Sequence, residues 1–218
     1  MRFIQKIFLA LIFFSVASPS LAADTDGKES EQAEEIKFVE NLANTFINDI
    51  FESNKSEQEK VNTFKKVFLS NCDINFISKF VLGKAWKNAS DEEKKSFTES
   101  FSNAVVLTWA GRFKEYNGQK IKVFGVRSAN SGQSYVDSSV INPEHSADKP
   151  IALIWRISNK DGKMQIVDLI IEGVSMAMTY RNEYAAVLQA KGGKMESLIE
   201  TLEDKNKILA SSLGVVVQ

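Results

Sequence analysis

The sequence predicts an α+β fold, and two observations carry that prediction. Its first half places apolar residues at helical spacing, and its second half holds four short β-rich runs joined by brief polar turns. Helices followed by strands, rather than alternating with them, favour segregated layers over a parallel crossover sheet. The 218 residues, 44% of them hydrophobic, suffice for one core, so a single domain is expected.

Residues 1–22 stand apart from that domain. Arg2 and Lys6 precede an apolar run from Ile7 to Val16, and Ser20-Leu21-Ala22 supplies the small residues of a cleavage site. This is the pattern of a secretory signal peptide cut near Ala22. The run falls short of the roughly 20 apolar residues of a membrane span, which makes a retained anchor the weaker alternative. Residues 23–34 are acidic and polar without periodicity and read as a disordered lead-in. The domain is expected over 35–209, with 210–218 as a short tail.

Within the domain, Ile36, Val39, Ala43, Phe46, Ile47 and Ile50 mark a first helix. Ser56 and Glu59 form a capping-box pattern ahead of Val61, Phe64 and Phe68 in a second. Ile74 to Leu82 makes a short third helix ended by Gly83, with Trp86 in the connection that follows. Ser90 and Glu93 then open what is expected to be the longest helix, along which Phe97, Phe101, Val105, Trp109 and Phe113 recur every four residues. Such a stripe is either a core face or the wall of a cavity too wide for small side chains to close, and the spacing leaves both open.

Asn117-Gly118 ends the helical half. The β-rich runs are Lys120 to Val126, Gln133 to Ile141, Pro150 to Ser158 and Met164 to Ile171, and their short connections predict a four-stranded antiparallel meander. The third run alternates most clearly, with Ile151, Leu153, Trp155 and Ile157 turned toward the helices and Ala152, Ile154, Arg156 and Ser158 turned away. The fourth is apolar on both sides. It turns at Glu172-Gly173 into a helix carrying Val174, Met176, Met178 and Tyr180, and Met195, Leu198, Ile199 and Leu202 mark a final amphipathic helix.

Charge and reactive residues narrow the function classes. A formal net charge of −1, or −3 once Arg2 and Lys6 leave with residues 1–22, offers no basic field for nucleic acid. Cys72 is the only cysteine, so no internal disulfide forms, and no histidine accompanies it in a nucleophile motif. His145, the only histidine, lies in a polar loop without metal-ligand spacing. Gly111, Gly118 and Gly125 fall in different elements and cannot cradle a phosphate together. Asp168 and Glu172 are the one carboxylate pair suited to acid–base work, weighed against a salt bridge or a carboxylate at the amino terminus of the next helix. No catalytic residue, metal ligand or cofactor site is expected.

Five segments resemble a known family. They are Phe80-Val81-Leu82-Gly83-Lys84-Ala85-Trp86, the pair Phe97 and Phe101, Phe113-Lys114-Glu115-Tyr116, the run Val167 to Met176, and Tyr180-Arg181-Asn182-Glu183-Tyr184. In that order and spacing they resemble the MlaC, or toluene-tolerance, family over most of the chain after residue 22. The resemblance implies an NTF2-like α+β fold enclosing a hydrophobic pocket, in a periplasmic phospholipid carrier that serves as the soluble substrate-binding component of an ABC-type transport system maintaining outer-membrane lipid asymmetry. Implied partners are phospholipid acyl chains, an inner-membrane MCE-domain ABC transporter complex and an outer-membrane lipoprotein–porin complex. The implied pocket draws on Phe80, Trp86, Trp109, Phe113, Val136, Leu153, Trp155, Leu169, Ile171, Val174, Met176 and Tyr180, with Arg181, Arg156 and Arg127 as headgroup or rim candidates. For Arg181 an ion pair with Glu172 or Asp168 is the competing role. Two other classes stay open: an exported NTF2-like enzyme using Asp168 and Glu172, and a ligand-free docking module of the envelope.

Overall fold

The computed structural model describes residues 25–129, 132–145 and 149–216, so the signal-peptide reading of residues 1–22 lies outside the described residues. The first helix, α1 (Thr25–Phe46), starts about ten residues ahead of the expected domain boundary and runs into a π-helical turn, Ile47–Phe51. At 22 residues it exceeds the 20 of α5 (Asp91–Ala110), which therefore is not the longest helix. The acidic lead-in lacks the apolar period that marks a helix in sequence, so its pattern does not announce the helix start.

Both capping boxes form. Ser56 N–H donates to Glu59 Oε2 at 2.8 Å to open α2 (Glu57–Asn71), and Ser90 N–H donates to Glu93 Oε2 at 2.7 Å to open α5. Each box satisfies amide donors that a helix start otherwise leaves without partners. Between them lie α3 (Ile74–Leu82), capped by Asp73, and the five-residue α4 (Lys84–Asn88), which carries Trp86. Trp86 is thus helical rather than in an irregular connection; one turn of helix is too short to show a period. The aromatic stripe also stops early, since α5 ends at Ala110 and Phe113 opens a separate 3-10 turn, Phe113–Glu115.

Strands β1 (Lys120–Ser128), β2 (Gln133–Ile141), β3 (Ile151–Lys160) and β4 (Lys163–Ile171) form the expected antiparallel meander, extended at its far edge by β5 (Val174–Ser175). Two residues carry too little pattern to announce a strand. The hairpins at Asp161-Gly162 and Glu172-Gly173 have positive φ at both central positions, the requirement of a type I′ turn. Val174 consequently belongs to β5, and α6 (Met176–Ala190) begins two residues later.

The chain closes with α7 (Met195–Leu213), capped by Gly214 in the left-handed conformation. Val215 beyond it is buried, and the Gln58 amide brackets Val216, donating to its carbonyl at 2.9 Å and accepting from its N–H at 2.7 Å. The segment expected as a tail from residue 210 is therefore built into the fold through Val216.

Two apolar cores result. The larger joins α1, α3, the middle of α5, the sheet, α6 and the start of α7, whereas the smaller gathers Ile50, Val61, Phe64, Val106, Leu107, Ala210 and Val215. Phe46, Phe68 and Trp109 border both, at the ends of α1, α2 and α5.

Candidate functional site

The wall of the larger core is the inner face of the sheet. Strand register lines up Val126, Val136, Trp155 and Leu169 across β1 to β4, and Val136, Leu153, Trp155 and Ile157 are sealed at its centre. The Trp155 indole N–H donates to Ser138 Oγ at 2.9 Å, and the Ser138 hydroxyl donates on to the Leu153 carbonyl at 2.7 Å. Every polar atom of this buried chain is thus engaged, as a dry site requires. Around the sealed centre the cover thins. Ile121, Val123, Val126, Val140, Leu169 and Ile171 pack against the core while staying only half buried, as do Trp109 and Tyr180 on the helical side. This half-covered apolar belt is the candidate binding surface.

Aromatic packing holds the helical side. Phe97 and Phe101 of α5 meet Tyr180 and Tyr184 of α6 edge-on, with centroids 5.4 Å apart for Phe101–Tyr180 and 6.0 Å for Phe97–Tyr184. Phe97 and Phe101 are therefore core, and only Trp109, farther along the stripe, reaches the belt. Burial pushes the Tyr180 hydroxyl up to about 12, with the Glu183 charge adding to the rise and a hydrogen bond with Trp109 opposing it. Tyr184 is raised further, again first by burial, and among the described residues its hydroxyl finds no hydrogen-bond partner.

A phenol whose pKa in the fold exceeds the unfolded value near 10 contributes stability that is complete below pH 10 and lost as pH rises through the folded pKa. The buried Cys72 thiol, pushed up to about 12 by desolvation, adds a loss of the same sign from about pH 9, so melting temperature should hold steady from about pH 6 to 8 and fall progressively above about 9. Tyr184→Phe should blunt that fall and, by removing an unpartnered buried hydroxyl, leave stability at pH 7 unchanged or raised by up to about 1 kcal/mol. A loss of more than about 1 kcal/mol in urea titrations would reveal a bound water or other partner at that hydroxyl.

One contact joins the two most distinctive motifs. The Arg181 guanidinium donates to the Phe80 carbonyl at 3.1 Å, lies 5.0 Å from the Phe80 ring centroid, and approaches Gly83 so closely that a Cβ there would stand 2.9 Å from Nη2. Arg181 thereby clasps α6 to the carboxyl end of α3, where a cation complements exposed carbonyls. It pairs with neither Glu172 nor Asp168. Gly83 has φ +55° and ψ −116°, a region closed to other residues at a cost of order 1–3 kcal/mol. Gly83→Ala should cost about 2 kcal/mol in urea denaturation, and somewhat less beside Arg181→Ala, which removes the close approach but not the strain.

The carboxylate pair serves the bend. Asp168 is buried and accepts from the Ser175 hydroxyl at 2.5 Å and the Ala177 N–H at 2.9 Å, at the amino terminus of α6. Glu172 exchanges bonds with Ala152, its N–H donating to the Ala152 carbonyl at 2.9 Å and its Oε1 accepting the Ala152 N–H at 2.6 Å, and Lys149 stands 3.5 Å away. Both carboxylates are consumed by backbone and hydroxyl donors. Cys72 is buried, and desolvation pushes its thiol up to about 12. His145 ends a 3-10 turn, Pro143–His145, with its side chain outside the described residues. Among the described residues no group of three or more His, Cys, Asp and Glu could hold a metal ion.

The other expected site residues divide. Trp86 borders the larger core, while Phe113 packs on the smaller one with Phe51 and Phe64. Phe80 lies under Arg181, Met176 is half buried at the start of α6, and Val174 is 55% exposed. Arg127 and Arg156 flank Tyr135 in register on the sheet face opposite Trp155. There Arg127 binds Asp137 through two bonds, and Arg156 Nε donates to Gln133 Oε1 at 2.9 Å. Sequence reasoning missed Glu35, buried in α1, which accepts from the Ser134 hydroxyl at 2.6 Å and ties that helix to β2.

The profile described as MlaC protein matches residues 37–204. The chain is 22% identical over 172 residues to the intermembrane phospholipid transport system binding protein MlaC of Haemophilus influenzae, covering 76% of this chain and 78% of that one. It is also 22% identical over 129 residues to the toluene tolerance protein ttg2D of Pseudomonas putida, covering 59% of each. Among solved structures it resembles a phospholipid-binding protein from Ralstonia solanacearum in complex with a phospholipid, at a TM-score of 0.68 and 23% identity over 82% of this chain and 98% of that one. That likeness establishes a shared fold.

Proposed function

The chain belongs to the MlaC family, and on that premise we propose that it is a periplasmic phospholipid carrier, the binding component of an intermembrane lipid transport system. The Haemophilus relative is named for that role, and the Ralstonia protein of the same fold was solved with a phospholipid. MlaC proteins form a lipid-binding transport family rather than an enzyme family, and Asp168 and Glu172 do structural work at the α6 bend.

The observation that carries the reading is the half-covered belt of Leu169, Ile171, Val123, Val126, Trp109 and Tyr180 around a sealed centre. These side chains pack on the core with one side and keep the other open to an apolar ligand. Each methylene taken from water onto that surface gains roughly 0.8 kcal/mol, so acyl chains complete the burial that the protein leaves unfinished. Residues 1–22 would direct export and be removed near Ala22. The partners proposed for loading and delivery are an inner-membrane MCE-domain ABC transporter and an outer-membrane lipoprotein–porin complex.

Leu169→Glu tests the assignment of the belt. Because Leu169 keeps partial access to water, the variant should fold, yet take up fluorescent phospholipid from vesicles at least tenfold less than the unaltered protein, a charge among acyl chains costing roughly that or more. Uptake by folded Leu169→Glu equal to that of the unaltered protein would place the chains elsewhere.

A further inference from the structure

We propose that the outer face shared by α3 and α6 docks on a bilayer containing anionic phospholipid. The proposal rests on the carrier reading above, since a carrier gains from dwelling where its lipids originate.

Helix α3 is apolar on both sides. Ile77, Val81 and Leu82 are buried in the core, yet Phe76 is 38% exposed and Phe80, one turn on, is half covered. Across the clasp, Met178 of α6 is 44% exposed and lies one turn from Arg181, with the exposed Val174 just ahead of the helix. Because the Arg181 guanidinium sits on the Phe80 ring, these residues form one patch bridging two helices. A patch of exposed aromatic and thioether side chains marks a docking face. The inward face of α6 is different: Tyr180 and Tyr184 point into the aromatic cluster behind the belt.

Charge selects the occupant. Lys79 and Lys84 are exposed on this face and form no ion pair among the described residues. The nearby acids are already engaged. Asp73 accepts from the Phe76 N–H, Asp168 caps α6, Glu172 is held by Ala152 and Lys149, and Glu183 meets Lys205 at 3.0 Å. Glu172 and Glu183 are balanced by lysines, and Lys79, Lys84 and Arg181 outnumber Asp73 and Asp168, which keep their charge, so the face carries a small positive excess on a chain of net negative charge. Apolar side chains seated at headgroup level, ringed by amines that reach phosphates, are how helices lie on anionic membranes without crossing them. No described helix is long and apolar enough to cross a membrane.

The test is co-sedimentation of the purified, folded protein with vesicles of phosphatidylethanolamine and phosphatidylglycerol, against vesicles of phosphatidylcholine alone. Binding is expected to the first only and to weaken with added salt. Phe76→Ser with Met178→Ser should reduce binding about tenfold, and Lys79→Glu with Lys84→Glu at least twentyfold, at roughly fivefold per charge removed. The two pairs are independent, so a folding defect in one leaves the other to decide. Absence of binding, equal binding to both vesicle types, or unchanged binding by a folded double variant would overturn the proposal. Phospholipid extracted from the same preparation separates the two readings: a lipid-loaded protein that ignores vesicles overturns docking alone, whereas one carrying no lipid overturns the carrier reading.

Discussion

Asp168→Ala should lower the melting temperature by roughly 6–12 °C, corresponding to a loss of about 3 kcal/mol at some 2–4 °C per kcal/mol for a domain of this size. Asp168 anchors a relay. It accepts the Ser175 hydroxyl and the Ala177 N–H, and Ser175 Oγ in turn accepts the Met178 N–H at 3.1 Å. Removing the carboxylate leaves a buried amide and a capping hydroxyl without their acceptor at the first turn of α6, and truncating one member of such a buried set costs more than the set contributes. Asp168→Asn keeps one acceptor oxygen and should recover about half of the loss. If thermal unfolding followed by circular dichroism moves by less than about 1 °C in Asp168→Ala, the relay does not hold the bend.

The second large effect is expected at Trp155. Trp155→Ala should cost about 3–5 kcal/mol, the range for emptying a sealed aromatic site, and should also leave Ser138 without its indole donor. Trp155→Phe fills most of the volume and loses only the N–H, so its cost should be nearer 1 kcal/mol. Guanidinium titrations of the two variants compare volume with hydrogen bond directly. Equal costs would mean that the Trp155–Ser138–Leu153 chain, not packing, dominates the centre of the sheet.

Much of the architecture was legible because it obeys short-range rules. Ser56-to-Glu59 and Ser90-to-Glu93 spacings announce helix starts through bonds local to one turn, and the alternation of β3 correctly turns Trp155 inward. What failed to show were features with no local period. These are the helical Trp86 in a five-residue helix, the two-residue β5, the start of α1 in polar sequence, and the burial of Val215 beyond the last helix.

The site was legible by composition and obscure by geometry. The aromatic stripe of α5 reads as one surface, yet the structure divides it among a sealed cluster at Phe97 and Phe101, the belt at Trp109 and the smaller core at Phe113. That division depends on contacts between residues distant in the sequence, Phe97 and Phe101 with Tyr180 and Tyr184 of α6, and Phe113 with Phe51 and Phe64. Arg181 illustrates the point: as a lone cation in a motif it invites a ligand, but its partners are the Phe80 carbonyl and ring. Asp168 and Glu172 likewise read as a chemical pair until Ala177, Ser175 and Ala152 are seen to occupy them.

Acyl chains are expected to complete the burial of the apolar belt around the sheet. The most direct measurement is mass spectrometry of organic extracts from the purified protein, shown beforehand to be folded. Recovery of diacyl phospholipid in roughly one-to-one proportion to protein is the predicted result, and a folded preparation that yields none after gentle purification would contradict it.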